Sequence, residues 1–187
     1  MKSYYSVQEL ELLGLKEYGK DVLISRKASI YGADSICLGN SVRIDDFCIL
    51  SGQIRIGNHV HIAAYSALYG GEKGIWINDF ANLSSRVSVY SVSDDYTGES
   101  MTNPTIPIKY KKLLQEKVYI GKHVIIGSTS VVLPGVQIAD GGAFGAFSFI
   151  NRNTEEWTMY AGIPVREIRK RKKNLLEFEK RLRNEEK

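Results

Sequence analysis

Two cysteines in 187 residues are too few for a disulfide framework, which excludes the small stapled scaffolds of secreted proteins. Long hydrophobic runs are also missing. No stretch approaches the roughly 18 apolar residues that a bilayer-spanning helix needs, and the N-terminal MKSYYSVQEL lacks the apolar centre of a secretory leader. The chain is therefore read as soluble and cytoplasmic. Charge of one sign is scarce too, since 25 basic and 21 acidic residues leave a formal net charge of only +4. Much of that surplus sits in Arg166, Arg169, Lys170, Arg171, Lys172 and Lys173. No aromatic stacking set accompanies these bases, and acidic residues interleave with bases in the following NLLEFEKRLRNEEK, so nucleic acid is not indicated as a partner. Leu175, Phe178 and Leu182 recur there at roughly helical spacing, which predicts an amphipathic tail helix with a solvated charged face.

What the chain does have is a six-residue beat. Large aliphatic residues fall at Leu38, Ile44, Leu50, Ile56, Ile62 and Leu68, and again at Ile120, Ile126, Val132, Ile138, Phe144 and Ile150. Two positions before most of them stands a small or β-branched residue, such as Val42, Cys48, Val60, Val124, Ser130 and Ser148. Each such pair shares one face of a short strand, because successive side chains of a strand alternate. The other three residues of the period turn a corner. A short fixed period of this kind marks a solenoid whose units gain a core only by stacking on their neighbours. Ile77, Leu83 and Val89 continue the pattern after a three-residue insertion near Gly70 to Gly74. Cys48 occupies an inward position, where a free thiol packs as a small hydrophobe.

The beat resembles that of the hexapeptide-repeat acyltransferases. The resemblance implies an all-β fold: a left-handed parallel β-helix with a short N-terminal helix, one long excursion loop and a C-terminal α-helix. With 43% hydrophobic residues the chain suits one domain over residues 1–187. A helix is expected over 1–20, with a capping box from Ser6 to Glu9 ahead of Leu10, Leu13 and Leu15. The β-helix is expected over 22–155, and the excursion over 94–119, where the beat stops; long loops of this kind often carry function. The terminal helix is expected over 164–187, opened by Pro164.

The segment Tyr160-Ala161-Gly162-Ile163-Pro164, followed by spaced arginines, is similar to the maltose, galactoside and sugar acetyltransferase branch. That branch uses acetyl-CoA as co-substrate. Matched residue by residue, the resemblance implies that Ser128 and Ala146 bond the pantetheine arm, with Gly127 and Gly145 permitting close approach. It further implies that Arg152, Arg166 and Arg169 stand near the CoA phosphates, the last two spaced i and i+3 so that both could face one cluster. Relatives that acetylate sugar hydroxyls place a histidine where the chain leaves for the loop. Here that position reads Val92-Ser93-Asp94-Asp95-Tyr96, without histidine.

Three residues are candidates for the missing base: Asp94 and Asp95 at the loop mouth, and His61, which alternation points outward and which titrates near neutrality. His59 and His123 fall within turns and need no role. An amine only has to lose its ammonium proton, whereas a hydroxyl needs a strong base in the transition state. The acceptor is accordingly read as an amino sugar or nucleotide-linked amino sugar of bacterial surface polysaccharide synthesis, as in the O-antigen N-acetyltransferases of this fold. O-acetylation of a glycoside is the alternative within the class, and a non-catalytic β-helical scaffold the alternative outside it. No metal site is expected, since His59 in a turn and His61 on a flat face do not converge easily on one tetrahedral ion. The resemblance also implies a homotrimer with sites between subunits, loosely supported by outward Tyr65, Trp76 and Phe80.

Overall fold

The computed structural model describes residues 3–186; residues 1, 2 and 187 of the expected terminal spans lie outside these. Short strands wind into a parallel β-solenoid of about seven turns. The first face stacks Leu23–Ile24, Arg43–Ile44, His61–Ile62, Asn82–Leu83, Ile125–Ile126, Ala143–Phe144 and Thr158–Ala161 as parallel neighbours. The second and third faces form one ten-stranded sheet, because the long strands Ile49–Ile56 and Ala67–Ile77 run around the corner between them. The beat residues all point inward: Ile44, Leu50, Ile62, Leu68, Leu83, Ile126, Ile138 and Ile150 have no exposed surface. Each such side chain contributes on the order of 1.5–3 kcal/mol of burial.

Corners are sharp because single residues adopt left-handed backbone. At the turn from third to first face these are Asp21, Ser41, His59, Phe80, His123 and Trp157, with φ between 49° and 62°. A non-glycine residue there costs about 1–2 kcal/mol. The cost is offset by a bond to the coil below: His59 N donates to Asn40 O at 2.9 Å, and Phe80 N to Asn58 O at 2.9 Å.

One residue earlier runs a ladder of side-chain acceptors. Lys20 N donates to Asn40 Oδ1, Asn40 N to Asn58 Oδ1, and Asn58 N to Asp79 Oδ1, each at 2.8 Å. This explains the glycine that follows so many of the large residues. A Cβ on Gly57 would lie 2.5 Å from Asp79 Oδ1 and 2.9 Å from Asp79 N, so the acceptor above can tuck in only over a bare backbone.

The termini depart from expectation. Helix α1 spans only Val7–Leu12, with the Ser6–Glu9 capping box formed and Leu10 buried. Glu17–Tyr18 is already a coil strand, paired with Cys37–Leu38, so the solenoid begins before residue 22. At the other end it extends past 155, since Thr158–Ala161 pairs in parallel with Ala143–Phe144. Pro164 opens no helix. Arg166–Lys170 instead folds back antiparallel on Thr158–Ala161, pairing an edge that would otherwise leave its polar backbone unpartnered. Helix α2 begins only at Leu175 and runs to Glu185.

The excursion is also shorter than 94–119. Val92–Ser93 and Leu114–Gln115 zip its base as an antiparallel pair, and Val118–Ile120 is back in the third face, aligned with Ile75–Ile77. Val118 and Ile120 are both fully buried, and that inward alternation fixes the point of return.

Candidate active site

The outward positions of the first face carry a polar strip. Arg43, His61 and Asn82 are register partners in three successive coils, so their side chains stand side by side. His61 Nε2 lies 2.8 Å from Asp45 Oδ2, and His61 Nδ1 lies 2.9 Å from Asn82 Oδ1. Arg43 Nε donates to the other Asp45 oxygen at 2.7 Å, and the Tyr4 hydroxyl reaches the same oxygen at 3.4 Å. Burial pushes the Asp45 carboxyl up, but hydrogen bonds and charge from His61 and Arg43 outweigh this and hold it below the ordinary carboxylate value. His61 does point outward, at 39% side-chain exposure, as alternation predicts. Both of its ring nitrogens are engaged, which leaves neither free to take a proton from an acceptor.

At the loop mouth the two aspartates part company. Asp95 accepts from Thr97 N and Oγ1 through Oδ1, and from Ser100 N and Oγ through Oδ2, at 2.7–3.0 Å. The Thr97 and Ser100 donors pull its carboxyl down to about 2. Asp95 thus holds the loop closed on itself. The Asp94 carboxylate has no hydrogen-bond or ion-pair partner among the described residues; only its backbone carbonyl is engaged, by Ser93 Oγ at 3.2 Å.

The donor-side residues fall into two groups. Ser128 and Ala146 are stacked on the corner between first and second face, Phe147 N donating to Ser128 O at 2.9 Å. Ser128 Oγ also meets Ser85 Oγ of the coil below at 3.4 Å. Gly127 is not bare for the sake of a ligand: a Cβ there would lie 2.5 Å from Ala146 N, so the stacking of coils already demands glycine. Arg152 is exposed at the next corner of the same late coil. Arg166 and Arg169 lie on the returning strand, opposite Ala161 and Met159. The helical i, i+3 argument does not apply to them, because a strand separates residues three apart by about 10 Å.

Sequence reasoning missed the surroundings of His59 and His123. Both occupy left-handed corners, as their turn placement predicts, but they form a ladder with Phe80 between them, ring centroids 4.8 and 5.0 Å apart. Helix α2 docks against this column. Glu179 meets His123 Nε2 at 2.7 Å, Glu186 meets His59 Nε2 at 3.2 Å, and Arg183 bridges Glu179 to Asp79. Between α2 and the first face lies a cavity of about 380 Å³ walled by Phe80, Val124, Ile125 and Leu175, with Asn82 at its margin. Arg171 was hidden in a basic run, yet its Nη1 donates to His123 O and Gly141 O at 2.7 and 3.1 Å. Burial lowers its pKa. Cys48 is fully buried, and that burial pushes its thiol up to about 11, which removes it as a nucleophile. No three His, Cys, Asp or Glu side chains converge as a ligand set among the described residues, and no helix there is long and apolar enough to cross a membrane.

No family model matches the chain. Whole-chain comparisons do. The dTDP-4-amino-4,6-dideoxy-D-glucose acyltransferase of Escherichia coli is 47% identical over 180 residues, which is 95% of this chain and 93% of that protein. AntD, an N-acyltransferase from Bacillus cereus solved with dTDP and 3-hydroxybutyryl-CoA, is 50% identical with a TM-score of 0.95, covering 99% of this chain and 98% of that one. Its S84A variant, solved with dTDP-4-amino-4,6-dideoxyglucose and coenzyme A, has a TM-score of 0.96 at 50% identity, covering 99% of this chain and 100% of that one. A D94A variant of AntD has also been solved, with dTDP and coenzyme A. This chain carries serine and aspartate at the same two numbers.

Proposed function

This chain belongs to the hexapeptide-repeat acyltransferases, and from that premise we propose that it transfers an acyl group from a CoA thioester to the amino group of a dTDP-linked 4-amino-4,6-dideoxyglucose or a close nucleotide-amino-sugar relative. The observation that carries the reading is the likeness over nearly the whole of both chains to an enzyme named for that acceptor. Membership of the family leaves no ground for the scaffold reading. Absence of histidine at the loop exit, together with an Asp94 carboxylate that has no partner among the described residues, favours an amine over a hydroxyl.

The mechanism is direct transfer. Asp94 takes the proton from the acceptor ammonium, or anchors that ammonium until it is lost, and the amine attacks the thioester carbonyl. The C–N bond forms, the C–S bond breaks, the surplus proton leaves with CoA as its thiol, and a backbone N–H stabilises the oxyanion. Asp95 shapes the loop that presents Asp94. On the donor side the pantetheine arm follows the corner of Ser128 and Ala146, and the phosphates face Arg152, Arg166 and Arg169. The acyl group is acetyl in this proposal, the assembly is a homotrimer with the loop reaching over a neighbour, and the compartment is the cytoplasm, in keeping with two free buried thiols.

Titration calorimetry with acetyl-CoA, followed by thiol release on dTDP-4-amino-4,6-dideoxyglucose and on simple glycosides, tests this. Binding with turnover on the amine supports it. Turnover on hydroxyl acceptors alone overturns the amine, and faster turnover with 3-hydroxybutyryl-CoA than with acetyl-CoA overturns the acetyl group.

A further inference from the structure

His61 is set between two oxygens, Asp45 Oδ2 at 2.8 Å and Asn82 Oδ1 at 2.9 Å. A neutral imidazole has one donor and one acceptor nitrogen, so it can satisfy only one of them; an imidazolium donates to both. The charged and titratable groups facing the ring are Asp45 and, through Asp45, Arg43 and Tyr4. With its oxygen drawn toward the ring, the Asn82 amide must turn its NH2 edge away from His61.

Asn82 also stands two residues before Ser84, which follows the end of the strand. Alternation puts Asn82 and Ser84 outward on either side of buried Leu83, about 7 Å apart. No histidine is needed to build the coil at this point: the register positions on either side of the His61–Asn82 pair are Arg43 and Ile125. A fixed, polar, outward amide therefore lies beside the serine whose counterpart number was varied in the acceptor-bound AntD structure.

We infer that Asp45, His61 and Asn82 form a positioning relay for the acceptor, in which Asp45 holds the His61 imidazolium and the imidazolium fixes Asn82 with its NH2 edge outward, donating to an oxygen of the nucleotide sugar. This rests on the proposed function for the identity of the acceptor. His61 touches no reacting atom in this arrangement. It acts through Asn82 and is a positioning residue.

Long-range ¹H–¹⁵N spectra of the full-length protein test the relay without substrate, the His61 signals being identified by their loss in His61→Gln. Both His61 nitrogens should carry protons in the unaltered protein, as two oxygen partners require. A neutral ring in the unaltered protein overturns the relay, because the amide would then face His61 with its NH2. Steady-state kinetics with dTDP-4-amino-4,6-dideoxyglucose supply the second readout. Asn82→Ala should raise the acceptor KM about tenfold, the loss of one hydrogen bond, with kcat changed less than about threefold and the acetyl-CoA KM unmoved. In Asp45→Asn, which loosens the ring that holds Asn82, the acceptor KM should climb toward the Asn82→Ala value. An unchanged acceptor KM in Asn82→Ala overturns the relay while leaving the reaction intact. Failure of the unaltered protein to acylate any nucleotide amino sugar overturns the functional reading instead, and the spectrum still decides the state of His61.

Discussion

The Asp95 carboxylate accepts four hydrogen bonds within its own loop, whereas the Asp94 carboxylate beside it accepts none from the described residues. Asp94→Asn should lower kcat by about 10²–10⁴, the usual worth of a general base, with the acyl-CoA dissociation constant unchanged; a variant within about twofold of the unaltered rate would remove Asp94 from the chemistry. Asp95 governs the loop through pH. Its folded pKa of about 2 lies below the ordinary 3.8, so its contribution to loop order is complete above about pH 4 and is lost as pH falls through about 2. Limited proteolysis by pepsin across that window should show cleavage between residues 94 and 113 rising as pH drops, and Asp95→Asn should be cleaved equally at every pH in it.

Beyond the strand pairing, two contacts tie coils together, the acceptor ladder at the corner and the docking of α2. The ladder predicts that Gly57→Ala destabilises the protein by about 1–3 kcal/mol in urea, since a Cβ 2.5 Å from Asp79 Oδ1 must push the next coil upward. For α2 the bond between His123 and Glu179 is decisive. Burial raises the Glu179 carboxyl, but Arg183 and His123 hold it below its ordinary value, so it is ionised at neutral pH and donates nothing. Glu179→Gln exchanges a charged acceptor for a neutral one and should weaken docking by about 1–3 kcal/mol. Amide exchange over 175–185 should quicken accordingly, while exchange at the buried strand amides of Ile62 and Leu83 stays slow.

At the scale of the whole molecule, the proposed trimer calls for outer apolar residues that a neighbouring copy would cover. Phe47, Tyr65 and Phe147 lie on one corner at 46, 54 and 63% exposure, continuous with the corner that holds Ser128 and Ala146. Burying these rings between copies is the physical basis of the proposed trimer. Sedimentation equilibrium should give about three times the 21.0 kDa chain mass. Phe147→Asp, which places a charge in that seam, should shift the mass toward the monomer and reduce turnover with it; full activity in a monomer would overturn the intersubunit site.

The repeat alone determined the inward residues, because a period of six with strand alternation leaves one set of positions that can face a core. Ser6 and Glu9 announced the N-terminal cap by the same local logic. Stretches where neighbours in space, not in sequence, decide the backbone were not legible. Glu17–Tyr18 is a strand because Cys37–Leu38 lies above it, and Arg166–Lys170 is a strand because Thr158–Ala161 offers an open edge. The site divides along the same line. The lack of histidine at the loop exit and the pair Asp94 and Asp95 could be read directly, but which carboxylate is free depends on where Thr97 and Ser100 fold. His61 could be placed outward from alternation; that Asp45 and Asn82 close on it follows only once coils of unequal length are stacked, since the insertion at Gly70 to Gly74 alters the spacing that brings Asn82 above His61. Local periodicity fixes which way a side chain points, and only the stacking of coils decides what it meets.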